Sequence, residues 1–350
     1  MNKKLTELAL PPHYDAKAAK DFQYDILDGF VLQRWADEWR VENNLKPVGA
    51  DKAIIHLLII DAQADFSFPQ GSLFVGGRSG NGATDDNDRL ARFIYRNLNI
   101  ISQITPTMDT HLPFQIFYPT AHLKKDGTHP APFTLIGYDE YAKGDYTADP
   151  AFAKQIGADQ LWLTRQFIHY TRELEKNGKY KLAIWPYHCL LGASGHKLAG
   201  VIEEARLFHS FARGAENRPE IKGGNPLTEH YSIFKPEVLT LWDGRIIPGA
   251  QKNKLLIEKL LKSDAVVIAG QAKSHCLAWT IADLLDEIAA VDPNLAKKVY
   301  LLEDCTSSVV VPGVIDYTDE ADKAFEKFAD AGMNIVRSDE PIAQWPGIRL

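Results

Sequence analysis

Residues 53–60, AIIHLLII, run without a break into Asp61-Ala62-Gln63-Ala64-Asp65-Phe66. Every position of the run except His56 is apolar. Strict alternation would mark a strand with one wet face. An unbroken apolar run marks a strand covered on both faces, as in a parallel sheet with helices on each side. A carboxylate directly after such a strand stands at the carboxyl edge of the sheet, where open α/β sheets bind their ligands. Taken alone, Asp61 would more often be a loop or capping residue than a general base.

Beyond this run, residues 104–108, 182–184, 265–269 (AVVIA), 299–302 (VYLL) and 334–336 (NIV) read as further strands. Helical spacing of apolar residues falls between them, over 88–102, 197–213, 253–262, 277–290 and 320–331. Strands alternating with helices imply βαβ units, and so a three-layer α/β/α, doubly wound and mostly parallel sheet. Two regions stand outside that rhythm. Residues 1–50 form an N-terminal extension whose segment 30–44 (FVLQRWADEWRVENN) reads as a helix packed on the body or on another subunit. Within the main domain, 51–350, the interval 112–180 carries Pro113, Pro119, Pro130, Pro132 and Pro150, many aromatics and one helical run, 159–176. Long insertions in α/β folds sit on the loop side of the sheet, so this one reads as a lid or interface element.

The chain has 350 residues, 45% hydrophobic and 24% charged, which excludes a disordered polymer. A net charge of −7 argues against a nucleic-acid or membrane-surface binder. No run approaches the ~20 apolar residues that cross a bilayer. The opening MNKKLTELALPPHYD lacks the apolar core of a signal peptide. The three cysteines, Cys189, Cys276 and Cys305, are too few and too odd in number for a disulfide framework. These features fit a protein of the reducing cytoplasm and do not identify a partner.

The residues that can do chemistry cluster just after the strands. Asp109-Thr110-His111 places a carboxylate and an imidazole two residues apart, on one side of an extended segment. Trp185-Pro186-Tyr187-His188-Cys189 offers a further imidazole after a stiff turn. Glu220-Ile221-Lys222-Gly223-Gly224 sets a lysine beside glycines that let a ligand approach the backbone. Gly270-Gln271-Ala272-Lys273-Ser274-His275-Cys276 ends where the next helix begins. A cysteine there feels the positive end of the helix dipole, which favours thiolate. Backbone N–H groups at the same place can form an oxyanion hole. Cys305, at the end of a later strand, reads as structural, as does Cys189.

Together and in this order, the motifs resemble the nicotinamidase branch of the isochorismatase-like cysteine hydrolases, over about residues 53–337 with 112–180 largely outside. The D-x-Q-x-D-F motif is matched by Asp61, Gln63, Asp65 and Phe66, and K-G followed by Y-S-x-F by Lys222, Gly223, Tyr231, Ser232 and Phe234. The resemblance implies a triad of Asp61, Lys222 and Cys276, and an oxyanion hole at the N–H groups of Ala272 and Cys276. It also implies a cis peptide at Gln271–Ala272. The D-x-H and W-P-x-H-C motifs imply one divalent metal on Asp109, His111 and His188; zinc is the first expectation, and iron or manganese also suits that donor set. Phe66, Trp185 and Tyr231 are the implied substrate-binding residues.

The implied reaction is nicotinamide plus water giving nicotinate and ammonia through a thioester on Cys276. Two alternatives remain beside it: a related amidase for another amide, hydrazide or carbamoyl compound, and a non-catalytic binding protein on the same fold. A homo-oligomer is a further expectation from the resemblance. Lys273-Ser274 replaces the Thr-Asp of many relatives, Gln115 falls near a position where some carry another histidine, and the chain is longer than common members.

Overall fold

The computed structural model describes residues 7–26 and 28–350; residues 1–6 and 27 of the N-terminal extension lie outside the described residues. The central sheet contains β1 (Ile55–Ile60), β2 (Gln103–Asp109), β3 (Glu220–Lys222), β4 (Ala265–Gly270), β5 (Val299–Leu302) and β6 (Asn334–Val336). Their order across the sheet is β3-β2-β1-β4-β5-β6, and every pairing is parallel. The order reverses between β1 and β4. That switch point opens a crevice at the carboxyl ends of the strands.

The helices are α1 (Gly29–Glu42), α2 (Gly82–Arg96), α3 (Gln160–Lys176), α4 (Gly200–Arg213), α5 (Lys254–Lys262), α6 (Ala278–Val291) and α7 (Thr318–Asp330), besides shorter turns. Side chains of β1 alternate between the two faces, as a strand's must. Ile55, Leu57 and Ile59 pack with Leu90, Phe93 and Ile94 of α2 and with Val201, Ile202 and Phe208 of α4. Leu58 and Ile60 pack with Ile257 of α5, Ile281 and Leu284 of α6, and Phe325 and Phe328 of α7. Both faces are dry, which explains the unbroken run and bears out the three-layer architecture. Its single polar residue, His56, is buried with Nε2 against Thr105 Oγ1 at 2.8 Å, and burial lowers its pKa to about 3, so it stays neutral.

Asp28 caps α1 by accepting the N–H groups of Phe30 and Val31. Leu32, Ala36 and Trp39 then bury the inner side of α1 in the same cluster as α4. The N-terminal extension therefore packs on the body of its own chain.

Three details differ from the sequence expectations. The strand at 182–184 is Leu182–Ala183, paired antiparallel with Leu135–Ile136 and outside the central sheet. A short apolar run fixes burial and leaves its partner open. The place beside β2 belongs instead to β3, whose Glu-Ile-Lys has too little apolar character to read as a strand. The helix expected over 88–102 is α2, which starts at Gly82 and ends at Arg96. Its first turns are polar yet buried at Thr84, Asp86 and Asn87; Thr84 donates to the Ser67 carbonyl, Asp86 accepts from Gln271 and Ser307, and residues 98–102 peel away to deliver β2.

The 112–180 insertion forms a second core in which Ile116, Phe117, Tyr118, Tyr141 and Phe152 surround Phe167 and Tyr170 of α3. That core runs continuously into Phe66, Trp185, Ala272 and Val309 at the carboxyl edge. The insertion thus packs against residues of the carboxyl edge. Among the described residues no helix is long and apolar enough to cross a membrane.

Candidate active site

Asp61, Asp109 and Lys222 leave the carboxyl ends of the adjacent strands β1, β2 and β3, and Asp109 stands opposite Lys222 in register. The lysine is buried. Its Nζ lies 3.0 Å from Asp61 Oδ2, 3.0 Å from Asp109 Oδ1, 2.8 Å from the His230 carbonyl and 3.5 Å from Cys276 Sγ. Its N–H groups donate to Asp109, His230 and Cys276, and the ammonium forms an ion pair with Asp61 Oδ2. Asp61 Oδ1 accepts from Thr107 Oγ1 at 2.5 Å, and that hydroxyl accepts the Asp61 N–H at 3.0 Å. The Asp61 backbone is left-handed, φ +40°. The structure thus brings the three residues of the expected triad into one contact group.

Cys276 lies in a wide turn, Lys273–Leu277, just before α6, closed by the Leu277 N–H on the Ala272 carbonyl at 3.2 Å. Such wide turns recur at functional sites. Distant residues hold it. Gln271 Nε2 and Ser307 Oγ both donate to Asp86 Oδ2 of α2, at 2.9 and 2.7 Å. Gly270, at φ +111°, must be glycine, because a Cβ there would meet the Ile60 carbonyl oxygen at 2.0 Å. The Gln271–Ala272 peptide is cis. Among the described residues the Ala272 N–H has no backbone acceptor, which leaves it free for a ligand oxygen.

Burial raises the Asp61 carboxyl above the usual range, with Lys222 opposing it. For Asp109, burial is outweighed by His111 and Lys222, which hold it well below the carboxylate range. Lys222 stays well above the usual amine, because Asp109 and Asp61 outweigh its burial. Burial pushes the Cys276 thiol well up, against the pull of Lys222. Burial thus opposes the thiolate that the helix terminus and Lys222 favour.

Asp109 turns its second oxygen to two imidazoles. His111 Nε2 lies 2.8 Å and His188 Nε2 3.7 Å from Oδ2. The other nitrogens face backbone carbonyls: His111 Nδ1 is 3.1 Å from Gly223 O, and His188 Nδ1 is 2.8 Å from Pro186 O. A proton on each Nδ1 leaves both Nε2 lone pairs directed at one point beside a carboxylate, the arrangement that orients histidine as a metal ligand. Burial lowers the His111 pKa and so favours the neutral, ligating form. One donor atom from each of Asp109, His111 and His188 lies within 4.8 Å of the others. Asp61, Asp109 and Cys276 cluster equally closely, but there the Lys222 ammonium already stands as the cation, 3.0 Å from both carboxylates. The residues present fit a divalent cation on the imidazole side.

A pocket with about 390 Å³ of empty space, mouth included, opens on Cys276 and Asp109. Phe66, Trp185 and Tyr231 line it as expected, and Trp185 Nε1 donates to the Tyr231 hydroxyl at 3.1 Å. Sequence reasoning missed Leu73, Val75, Val309, Glu229 and His275, which line it too. Two had a usable signal: Glu229 lies inside the Lys222–Phe234 motif, and His275 immediately precedes Cys276. His275 is enclosed by the rings of Tyr180, Trp185, Tyr231 and Tyr317, and burial lowers its pKa to about 3. Burial likewise raises Glu229 well above the carboxylate range. Gln115 is fully buried, and neither of its amide atoms has a partner among the described residues. Cys189 and Cys305 are buried free thiols raised by burial.

No family model and no curated protein sequence matches the chain. Solved structures do. Yeast nicotinamidase bound to the inhibitor nicotinaldehyde superimposes with a TM-score of 0.50 at 19% identity, covering 81% of this chain and all of that one. The nicotinamidase/pyrazinamidase of Acinetobacter baumanii gives 0.48 at 18% identity, over 82% of this chain and 98% of that one. The pyrazinamidase of Pyrococcus horikoshii in complex with zinc gives 0.42 at 17% identity, over 81% and 98%. At such identities the likeness to the yeast structure shows a shared fold, and the two lower scores add nothing to it.

Proposed function

We propose that this protein is a metal-dependent amide hydrolase acting on nicotinamide, with catalysis carried by the domain of residues 51–350. The observation that carries the reading is the Lys222 ammonium, 3.0 Å from two carboxylates and 3.5 Å from Cys276 Sγ beside an aromatic-lined pocket. Neutral thiol and buried carboxylate form a matched pair. Asp61 takes the thiol proton as Sγ attacks the carboxamide carbon, and Lys222 stabilises the sulfur's developing charge. The N–H groups of Ala272 and Cys276 receive the oxyanion. Asp61 then gives its proton to the leaving nitrogen, releasing ammonia and a thioester on Cys276. Water, deprotonated by Asp61, attacks the thioester carbon; the C–S bond breaks, giving nicotinate and the restored thiol.

Asp109, His111 and His188 would hold the divalent ion, zinc first and iron or manganese as alternatives. When bound, the ion supplies a Lewis acid able to orient a ring nitrogen or acidify water. Phe66 and Trp185 flank the substrate ring, and Tyr231 holds the Trp185 indole in place.

A second reading, a related amidase for another amide, hydrazide or carbamoyl compound, is favoured by one feature. The insertion's Tyr180 donates to the Ser274 carbonyl at 3.1 Å and packs on His275, so the insertion helps shape the pocket wall. A non-catalytic binding role has no such support, since all three triad residues are present and in contact. Ammonia release from a panel of amides, with and without chelator, tests these readings. Release from nicotinamide that chelation stops and zinc restores supports the first; release from another amide only supports the second.

A further inference from the structure

We propose that Asp65 is a positioning residue for the metal-binding His188, acting through the backbone of Cys189; this rests on the metal reading of Asp109, His111 and His188. Asp65 neither lines the pocket nor offers an atom to the three-ligand cluster. Its carboxylate is buried, and both oxygens accept backbone N–H groups. Oδ2 takes the Cys189 N–H at 2.7 Å, and Oδ1 takes the Ser72 N–H at 2.9 Å. Hydrogen bonds to a charged acceptor are the stronger kind.

The residue it holds is unusual. Cys189 is non-glycine with φ +45°, a conformation that persists where surroundings over-determine it. Its carbonyl accepts the His111 N–H at 3.0 Å. One residue is therefore gripped on its N–H by Asp65 and on its C=O by the second imidazole ligand. His188, its neighbour, in turn sets its own ring by the Nδ1 contact to Pro186 O. Without the carboxylate the Cys189 N–H is buried and unpaired, the left-handed backbone can relax, and the His188 ring turns from Asp109.

Gly195 frames the same contact from the far side. Its carbonyl accepts the Asp65 N–H at 3.0 Å, and a Cβ there would lie 2.1 Å from Asp65 Cγ. The glycine leaves the room in which the carboxylate sits, and its φ is not one that excludes alanine.

The test is a zinc titration of the metal-stripped full chain against a competing chelator, a readout that needs no turnover. Asp65→Asn, which keeps the shape but opposes an N–H to an NH₂, is expected to weaken zinc binding roughly 10–100-fold, the usual effect of an outer-shell partner. Gly195→Ala should do the same by displacing the carboxylate, while leaving every polar group present. Adding Cys189→Gly to Asp65→Asn should restore part of the affinity, because glycine holds the left-handed conformation unaided. Circular dichroism at the titration temperature confirms that each variant is folded. Unchanged affinity in folded Asp65→Asn and Gly195→Ala would overturn the proposal, as would a failure of Cys189→Gly to restore any affinity. If the unsubstituted chain itself binds no zinc, the three-ligand site falls, and the positioning role with it.

Discussion

The two oxygens of Asp109 divide the site into unlike halves. On the Oδ1 side the groups are charged and mutually compensating: Lys222 faces Asp109, Asp61 and the Cys276 sulfur, and each is buried. On the Oδ2 side two imidazoles direct their second nitrogens at carbonyls and their lone pairs at one another's neighbourhood. The first half is complete as it stands and is suited to moving a proton. The second has its donor atoms arranged around a point and calls for a cation. On the proposed reading one carboxylate serves chemistry and binding together, which says which substitutions should separate the two.

Cys276→Ala should have the largest effect on turnover, a loss on the order of 10⁶-fold as for other nucleophile removals, with zinc affinity unchanged. Steady-state ammonia release and metal titration on the same sample check both halves. His111→Ala should do the reverse: zinc affinity falls by more than the roughly 10–100-fold of an outer-shell change, while the alkylation of Cys276 by iodoacetamide keeps its pH dependence. Asp109→Asn should damage both readouts, since Lys222 loses one counter-charge and the imidazoles their carboxylate. If it spares either, the halves are not joined through this residue.

The pH profile sharpens the Oδ1 half. Asp61 must be ionised to take the thiol proton, and burial raises its pKa above the ordinary 3.8. The acid limb of kcat/KM, which reports groups of the free enzyme, should therefore fall as pH drops through that raised value. A limb at or below the ordinary value would contradict the role of Asp61. The smallest effect is expected for Cys189→Ala, which keeps the backbone N–H and removes a thiol the chemistry does not use. Activity should stay within a few-fold, and stability should change by about 1 kcal/mol.

Much of this was legible in the sequence because the residues concerned act next to their own strand ends. Asp61, Asp109 and Cys276 each come soon after a strand, so spacing brought them to one sheet edge, whereas Lys222 joined them only through the resemblance of its motif. The 53–60 run announced a two-sided strand because both faces are covered by helices. The features that escaped depend on contacts between distant segments. Nothing within Glu220-Ile221-Lys222 marks an edge strand; its register with Thr107–Asp109 does. The polar start of α2 is buried because Asp86 meets Gln271 and Ser307, 185 and 221 residues on. The pocket wall from Val309, the packing of Tyr180 on His275 and the grip of Asp65 on Cys189 are likewise invisible until the chain is folded. The burial of Cys276, which opposes the thiolate that the helix terminus favours, is likewise a property of the folded chain.

The most direct measurement is ammonia release from nicotinamide by the zinc-loaded full chain and by Cys276→Ala, with mass spectrometry of the quenched Cys276 peptide. Release by the unsubstituted protein, a nicotinoyl adduct on Cys276 and no detectable release by the variant are the predicted results. Sustained release by Cys276→Ala would contradict the assignment of this thiol as the nucleophile.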